Sequence, residues 1–160
     1  MARLKRDIAA QDARRGLLSH YFDTSFLAPL IRKEKTSRDV AAFMRRLPAG
    51  ELSTSHWTRV EFASAMARDV RMRILAAADA VRANAEFDAI LSSGFVLITP
   101  AGADFDKART FLQRFDSGLR AADALHLATA ESSGAKTFYT LDEKLLRAGK
   151  LLGLPASRGI

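Results

Sequence analysis

The 160-residue chain contains no cysteine, which excludes disulfide scaffolds, thiolate zinc sites, iron–sulfur clusters and cysteine nucleophiles. Such a chain needs no oxidising compartment, and a cytoplasmic location is the expectation. None of its nine glycines lies two residues from another, and no G-K-[ST] occurs. The dinucleotide and nucleoside-triphosphate phosphate loops are therefore absent. The three histidines, His20, His56 and His126, show no ligand spacing, which argues against zinc. Apolar runs such as Phe95–Ile98 fall far short of the roughly 18 residues of a spanning helix, so no membrane embedding is expected. Near the N-terminus, Asp7, Gln11 and Asp12 interrupt what would have to be the apolar stretch of an export signal.

What is present describes a helix-rich, basic globule. Alanine occurs 29 times and leucine 20 times, both favouring helix, so strands should be few and marked by β-branched and aromatic residues. Candidate strands are Leu18–Phe22, Leu52–Ser55, Phe95–Thr99 and Thr137–Thr140, separated by helical stretches. That rhythm predicts an α/β fold: a three-layer α/β/α sandwich around a short, mostly parallel sheet. Helices are expected from Thr24 or Ser25 to Arg32, from Thr36 or Ser37 to Arg46, and over Ala103–Arg114, Leu119–Ser132 and Glu143–Ala148. Ser55–Asp69 and Met72–Leu91, broken at Val70–Arg71, predict a helical hairpin projecting from the sheet. Gly94 and Gly134, each after a Ser-Ser pair, read as helix-ending glycines. Residues 1–17, with five bases against two acids, read as an N-terminal extension, disordered or helical, ahead of one domain at 18–160.

Four acids fall where a parallel α/β domain places chemistry. Asp23 follows the first strand and Asp142 the fourth, so both should stand at strand C-terminal ends on one edge of the sheet. Glu61 and Asp123 lie inside helices rich in small apolar residues, where a carboxylate is either solvent-facing or in need of a cation. Taken singly, Asp23 and Asp142 read equally well as helix caps and Glu61 as a surface residue. Brought together, the four would repel one another unless a divalent cation compensated them.

At these positions the chain resembles a known family. Tyr21-Phe-Asp-Thr-Ser-Phe-Leu27 is similar to the opening D-x-[ST] segment of PIN-domain nucleases, and Arg59-Val-Glu-Phe-Ala63 to their second-acid helix. Arg120-Ala-Ala-Asp-Ala-Leu-His-Leu-Ala128 resembles the third-acid segment, and Phe138-Tyr-Thr-Leu-Asp-Glu-Lys-Leu145 the T-x-D segment. Within that family the chain looks most like the VapC-type toxin ribonucleases. The resemblance implies an acidic pocket of Asp23, Glu61, Asp123 and Asp142 that holds Mg2+ or Mn2+, with Ser25 and Thr140 hydrogen-bonding beside it. It further implies endoribonuclease activity leaving 5′-phosphate and 3′-hydroxyl ends, an antitoxin partner received between the Thr36–Arg46 and His56–Leu91 helices, and a homodimer. The alternatives are a catalytically silent PIN-like RNA-binding or interaction module and a receiver-like phosphoacceptor domain. A haloacid-dehalogenase-like phosphatase would want an Asp where Ser25 stands.

The charge balance agrees with an anionic partner. There are 25 Lys and Arg against 18 Asp and Glu, a net +7 with a pI near 10.2. Setting aside the four site acids leaves 14 acids against 25 bases, a net +11 for the rest. Arginine outnumbers lysine 18 to 7, which suits phosphate contacts. Arg120, three residues before Asp123, is the favoured RNA contact, with Arg45, Arg46, Arg68, Arg71 and Arg73 as further candidates. Tyr21, Phe22 and Trp57 read as core, and His126, one turn beyond Asp123, as a partly buried structural residue within reach of the site.

Overall fold

A computed structural model of the chain describes residues 19–160; the extension expected at 1–17, and Leu18 of the first strand, lie outside them. Five strands form one sheet in the order β3-β2-β1-β4-β5: β1 His20–Phe22, β2 Leu52–Ser55, β3 Val96–Ile98, β4 Thr137–Tyr139 and β5 Ala156–Ser157. Every pairing is parallel, where a mostly parallel sheet was expected. Among the described residues seven α-helices surround it: α1 Thr24–Leu27, α2 Ser37–Met44, α3 His56–Arg71, α4 Ala77–Gly94, α5 Gly102–Leu112, α6 Ala121–Ser132 and α7 Glu143–Leu151.

The three layers follow from the alternation of side chains along each strand. Tyr21 pairs with Phe138 and Phe22 with Tyr139 in the β1–β4 ladder, so each aromatic pair shares one face. Phe22 and Tyr139 stack with centroids 5.0 Å apart and are covered by Phe26, Leu27, Val40, Phe62 and Leu91 from α1–α4. Tyr21 and Phe138 stack at 5.6 Å on the opposite face, against Leu127 of α6 and Leu145 of α7. Helix α5 lies outside α6, where Ala108 meets Ala124 and Ala128. These small side chains let the two helices approach closely.

Helices α3 and α4 form the expected hairpin, clamped by Phe62 and Phe87, whose rings stack at 4.0 Å. The break lies at Met72–Ala76 rather than at Val70–Arg71. Arg73 takes a left-handed φ of 57°, and the Ile74 N–H returns to the Asp69 carbonyl at 2.9 Å. The signal was weak because α4 begins without a side-chain cap at Ala76.

The glycines divide. Gly134 ends α6 with φ 76°, its N–H bonding to the Glu131 carbonyl and that of Ala135 to Ala130. Gly94 is the last residue of α4, without the left-handed φ of Gly134, and the helix runs three residues beyond the expected end at Leu91 before its cap at Phe95. Gly149 likewise stays helical, and α7 runs on to Leu151 and turns at Gly153, φ 75°. Gly149 is there for space: a Cβ would stand 2.9 Å from the Cβ of Ala156 on β5. That edge strand, two residues long and preceded by Pro155, carries too little pattern to be read from sequence.

Candidate active site

The strand order reverses between β1 and β4, and open α/β sheets bind ligands beyond the C-terminal ends of the strands at such a switch point. Asp23 leaves β1 there, its N–H donating to the Tyr139 carbonyl at 3.1 Å. It also caps α1, Oδ1 accepting from the Phe26 N–H at 2.9 Å. Ser25 Oγ donates to the same carboxylate at 2.9 Å and Thr140 Oγ1 to Oδ2 at 2.7 Å. Ser25 Oγ in turn accepts from the N–H groups of Leu141 and Asp142 at 2.9 and 3.1 Å, which ties the β4–α7 turn to Asp23. Ser25 and Thr140, both expected beside the acids, thus hydrogen-bond to the Asp23 carboxylate.

Three protons point at Asp23, yet the group is only 3% exposed, and burial pushes its carboxyl up to about 6. His126, Thr140, Phe26 and Ser25 offset only part of that. Asp123, in the first turn of α6, accepts from the Arg120 N–H and is half-buried. Its carboxyl is also raised, first by burial and then by the negative charges of Asp142 and Glu61, against the pull of the Arg120 N–H and of His126. Asp142 is exposed and caps α7 through the Lys144 and Leu145 N–H groups, at 2.7 and 3.1 Å from Oδ1.

Glu61 behaves differently. Burial works to raise it, but the hydrogen bond and charge of His126, with Thr24 adding to them, hold it below the ordinary value. His126 Nε2 lies 2.6 Å from Glu61 Oε2, the atom to which Thr24 Oγ1 also donates. Neither Thr24 nor a bond from His126 to Glu61 was legible beforehand: Thr24 is an ordinary helix-start residue by sequence, and the contact spans 65 positions.

Glu61, Asp123 and Asp142 line two clefts, of about 560 and about 600 Å³. Asp23, Arg32 and Arg158 belong to the first, and Arg120, Lys144 and Arg147 to the second. The favoured Arg120 therefore stands beside the acids. Arg45 and Arg46 lie at the end of α2, outside the lining of both clefts, with the Arg46 guanidinium 5.6 Å from the Phe43 ring centroid. Arg68, Arg71 and Arg73 are likewise absent from both linings. Sequence had singled out none of Arg32, Arg158, Lys144 and Arg147, which arrive from separate segments.

The donor set fits a hard divalent cation. It offers carboxylate oxygens, and among the described residues no Lys or Arg forms an ion pair with Asp23, Glu61, Asp123 or Asp142. Among the described residues no three His, Cys, Asp or Glu side chains close into a cage by themselves. Magnesium retains several waters and needs only one or two carboxylates in direct contact.

The fold recurs in solved structures. The chain superposes on VapC20 of Mycobacterium tuberculosis, a sarcin–ricin-loop-cleaving toxin, with TM-score 0.67 and 22% identity over 82% of this chain and 95% of that one. PAE2754 of Pyrobaculum aerophilum gives TM-score 0.59 at 25% identity, covering 82% and 80%. A chain of the DNA-bound VapBC complex of Salmonella typhimurium gives 0.65 at 15% identity, covering 89% and 99%. No curated protein sequence matches the chain. The PIN domain model does match, from residue 20 to residue 151, spanning all four acids and both strands of the switch point, so the chain belongs to the PIN domain family.

Proposed function

We propose that this protein is a divalent-metal-dependent endoribonuclease and the toxin of a toxin–antitoxin pair. One observation carries the reading: Asp23, Glu61, Asp123 and Asp142 line one cleft at the switch point of the sheet, among the described residues without a Lys or Arg ion-pair partner, and arginine and lysine flank this cleft and its neighbour. A site built to hold cations is left acidic, and a site built to hold phosphates is basic around it. Nucleic-acid hydrolysis needs both.

In this reading Asp23, Asp123, Asp142 and Glu61 hold Mg2+ or Mn2+. When bound, such an ion activates a water and neutralises charge developing on the phosphodiester. The chain's own residues do the rest. Ser25 and Thr140 fix the Asp23 carboxylate, so it is presented without rearrangement. Arg120, Lys144 and Arg147 on one side and Arg32 and Arg158 on the other anchor the phosphates flanking the scissile bond, which orients it for in-line attack. The carboxyls of Asp23 and Asp123, raised by burial, would be held in their charged form beside a bound divalent cation.

VapBC complexes among the structural relatives support an antitoxin partner. The exposed Val60, Ile74 and Val81 on and around the α3–α4 hairpin supply apolar surface for it. A homodimer and a cytoplasmic location complete the proposal; among the described residues no helix is long and apolar enough to cross a membrane. The family match over residues 20–151 supports one nuclease domain at 18–160.

The test is incubation of the purified protein with total RNA and Mg2+ or Mn2+, with and without chelator, beside Asp123→Asn. Cleavage should require the metal and vanish in the variant. A phosphoacceptor domain would instead take up phosphate from a small phosphodonor, and a silent module would bind RNA without cutting it.

A further inference from the structure

His126 is 2% exposed, and both of its ring nitrogens are engaged. On one side the hydroxyl of Tyr21, itself fully buried, lies 2.9 Å from Nδ1. On the other, Nε2 lies 2.6 Å from Glu61 Oε2. A carboxylate oxygen can only accept, so Nε2 carries the proton, and the tyrosine hydroxyl, able to donate or accept, partners Nδ1 whether or not that nitrogen is protonated. Thr24 Oγ1 donates to the same Glu61 oxygen. The three contacts join β1, the start of α1, α3 and α6 across sequence separations of 105, 65 and 37 positions.

Glu61 lies on a helix face between the two clefts and is only partly buried, with three side-chain torsions to fix. Both donors converge on Oε2, while among the described residues Oε1 accepts no hydrogen bond of ordinary geometry and has only the buried, otherwise unpartnered Nε1 of Trp57 beside the carboxylate. From this geometry we infer that the Tyr21–His126 pair is a positioning device that locks Glu61 in one rotamer, so that Oε1 is presented to a divalent cation at the acidic cluster. The inference rests on the metal-dependent reading above. His126 touches neither cation nor RNA; it acts through Glu61.

Partners of metal-ligating groups typically contribute 10–100-fold in metal affinity. Two substitutions separate positioning from packing. His126→Gln places an amide N–H where Nε2 stands and keeps the donor to Glu61. His126→Asn reaches only the Nδ1 position, keeping a partner for Tyr21 but abandoning Glu61. Mn2+ titration of the full chain, followed by calorimetry, should show His126→Gln within about threefold of wild type and His126→Asn weakened by about tenfold or more. Equal affinities in both variants and wild type would overturn the inference. So would equal losses in both, which mark a structural histidine.

A second readout needs no metal. Side-chain 15N shifts of His126 in the metal-free protein should report a protonated Nε2, and an Nε2 without its proton would overturn the inference. Absence of Mn2+ binding by wild type would refute the metal reading instead, and the nitrogen shifts would still decide whether Glu61 is held as described.

Discussion

Asn at position 23 should make the metal-free protein more stable while destroying its function. The Asp23 carboxyl, ordinarily near 3.8, is raised to about 6 in the folded chain because it is buried. A folded-state value above the unfolded one means that ionisation opposes folding: the cost is absent below about pH 3.8 and complete above about pH 6. At about 1.4 kcal/mol per unit this amounts to about 3 kcal/mol at pH 8 and about 1 kcal/mol at pH 4.5. Asp23→Asn removes that cost. It keeps an acceptor for the Phe26 N–H but faces Thr140 with a donor where an acceptor stood, a loss of about 1 kcal/mol. The net expectation is a gain of about 2 kcal/mol at pH 8, or about 4–8 °C in Tm, and near neutrality at pH 4.5. Urea unfolding in EDTA at both pH values measures it, since every other titrating group is shared and cancels. A variant destabilised equally at both would refute the reasoning. Added Mg2+ should stabilise wild type more than the variant, because binding to the native state alone raises stability.

Three further outcomes test other parts of the account. Arg120→Ala, Lys144→Ala and Arg147→Ala should each weaken RNA binding and lower the salt slope by about 0.7, while Arg45→Ala, outside both clefts, should leave both unchanged; filter binding across a salt series reads this. Gly149→Ala should cost about 1–3 kcal/mol, since the new Cβ would stand 2.9 Å from Ala156, whereas Gly94→Ala, with nothing within 4 Å, should be neutral or slightly stabilising in thermal melts. Phe87→Ala should cost about 3–5 kcal/mol in chemical denaturation by opening a cavity against Phe62 in the α3–α4 hairpin, and a loss under 1 kcal/mol would show that this contact does not hold the hairpin.

The sheet was legible because its strands carry Tyr, Phe, Val and Thr in a chain otherwise rich in Ala and Leu, and because parallel topology brings the ends of β1 and β4 to one edge. Asp23 and Asp142 could be read from that alone. Glu61 and Asp123 were singled out by their apolar helical surroundings. Other features depend on tertiary contact and leave little local trace. Ala76 starts α4 without a capping side chain, Gly149 answers to Ala156 rather than to a helix end, and β5 is too short for a pattern. The basic flanks were half legible. Arg120 neighbours Asp123 in sequence, but Lys144 and Arg147 come from α7, and Arg32 and Arg158 from segments 126 positions apart, so only folding gathers them. His126 reads as a buried structural histidine until Tyr21 and Glu61 are seen on its two nitrogens.

The central claim is that this acidic site directs a metal-activated water at RNA, and the chemistry of the cut ends tests it most directly. RNA cleaved by the purified protein in Mg2+ or Mn2+ should carry 5′-phosphate and 3′-hydroxyl termini, with no cleavage by Asp123→Asn or in excess chelator. Termini bearing 5′-hydroxyl and 2′,3′-cyclic phosphate, or cleavage that persists in the chelator, would contradict it, because the RNA's own 2′-hydroxyl would then be the nucleophile or the acids would have no cation to hold.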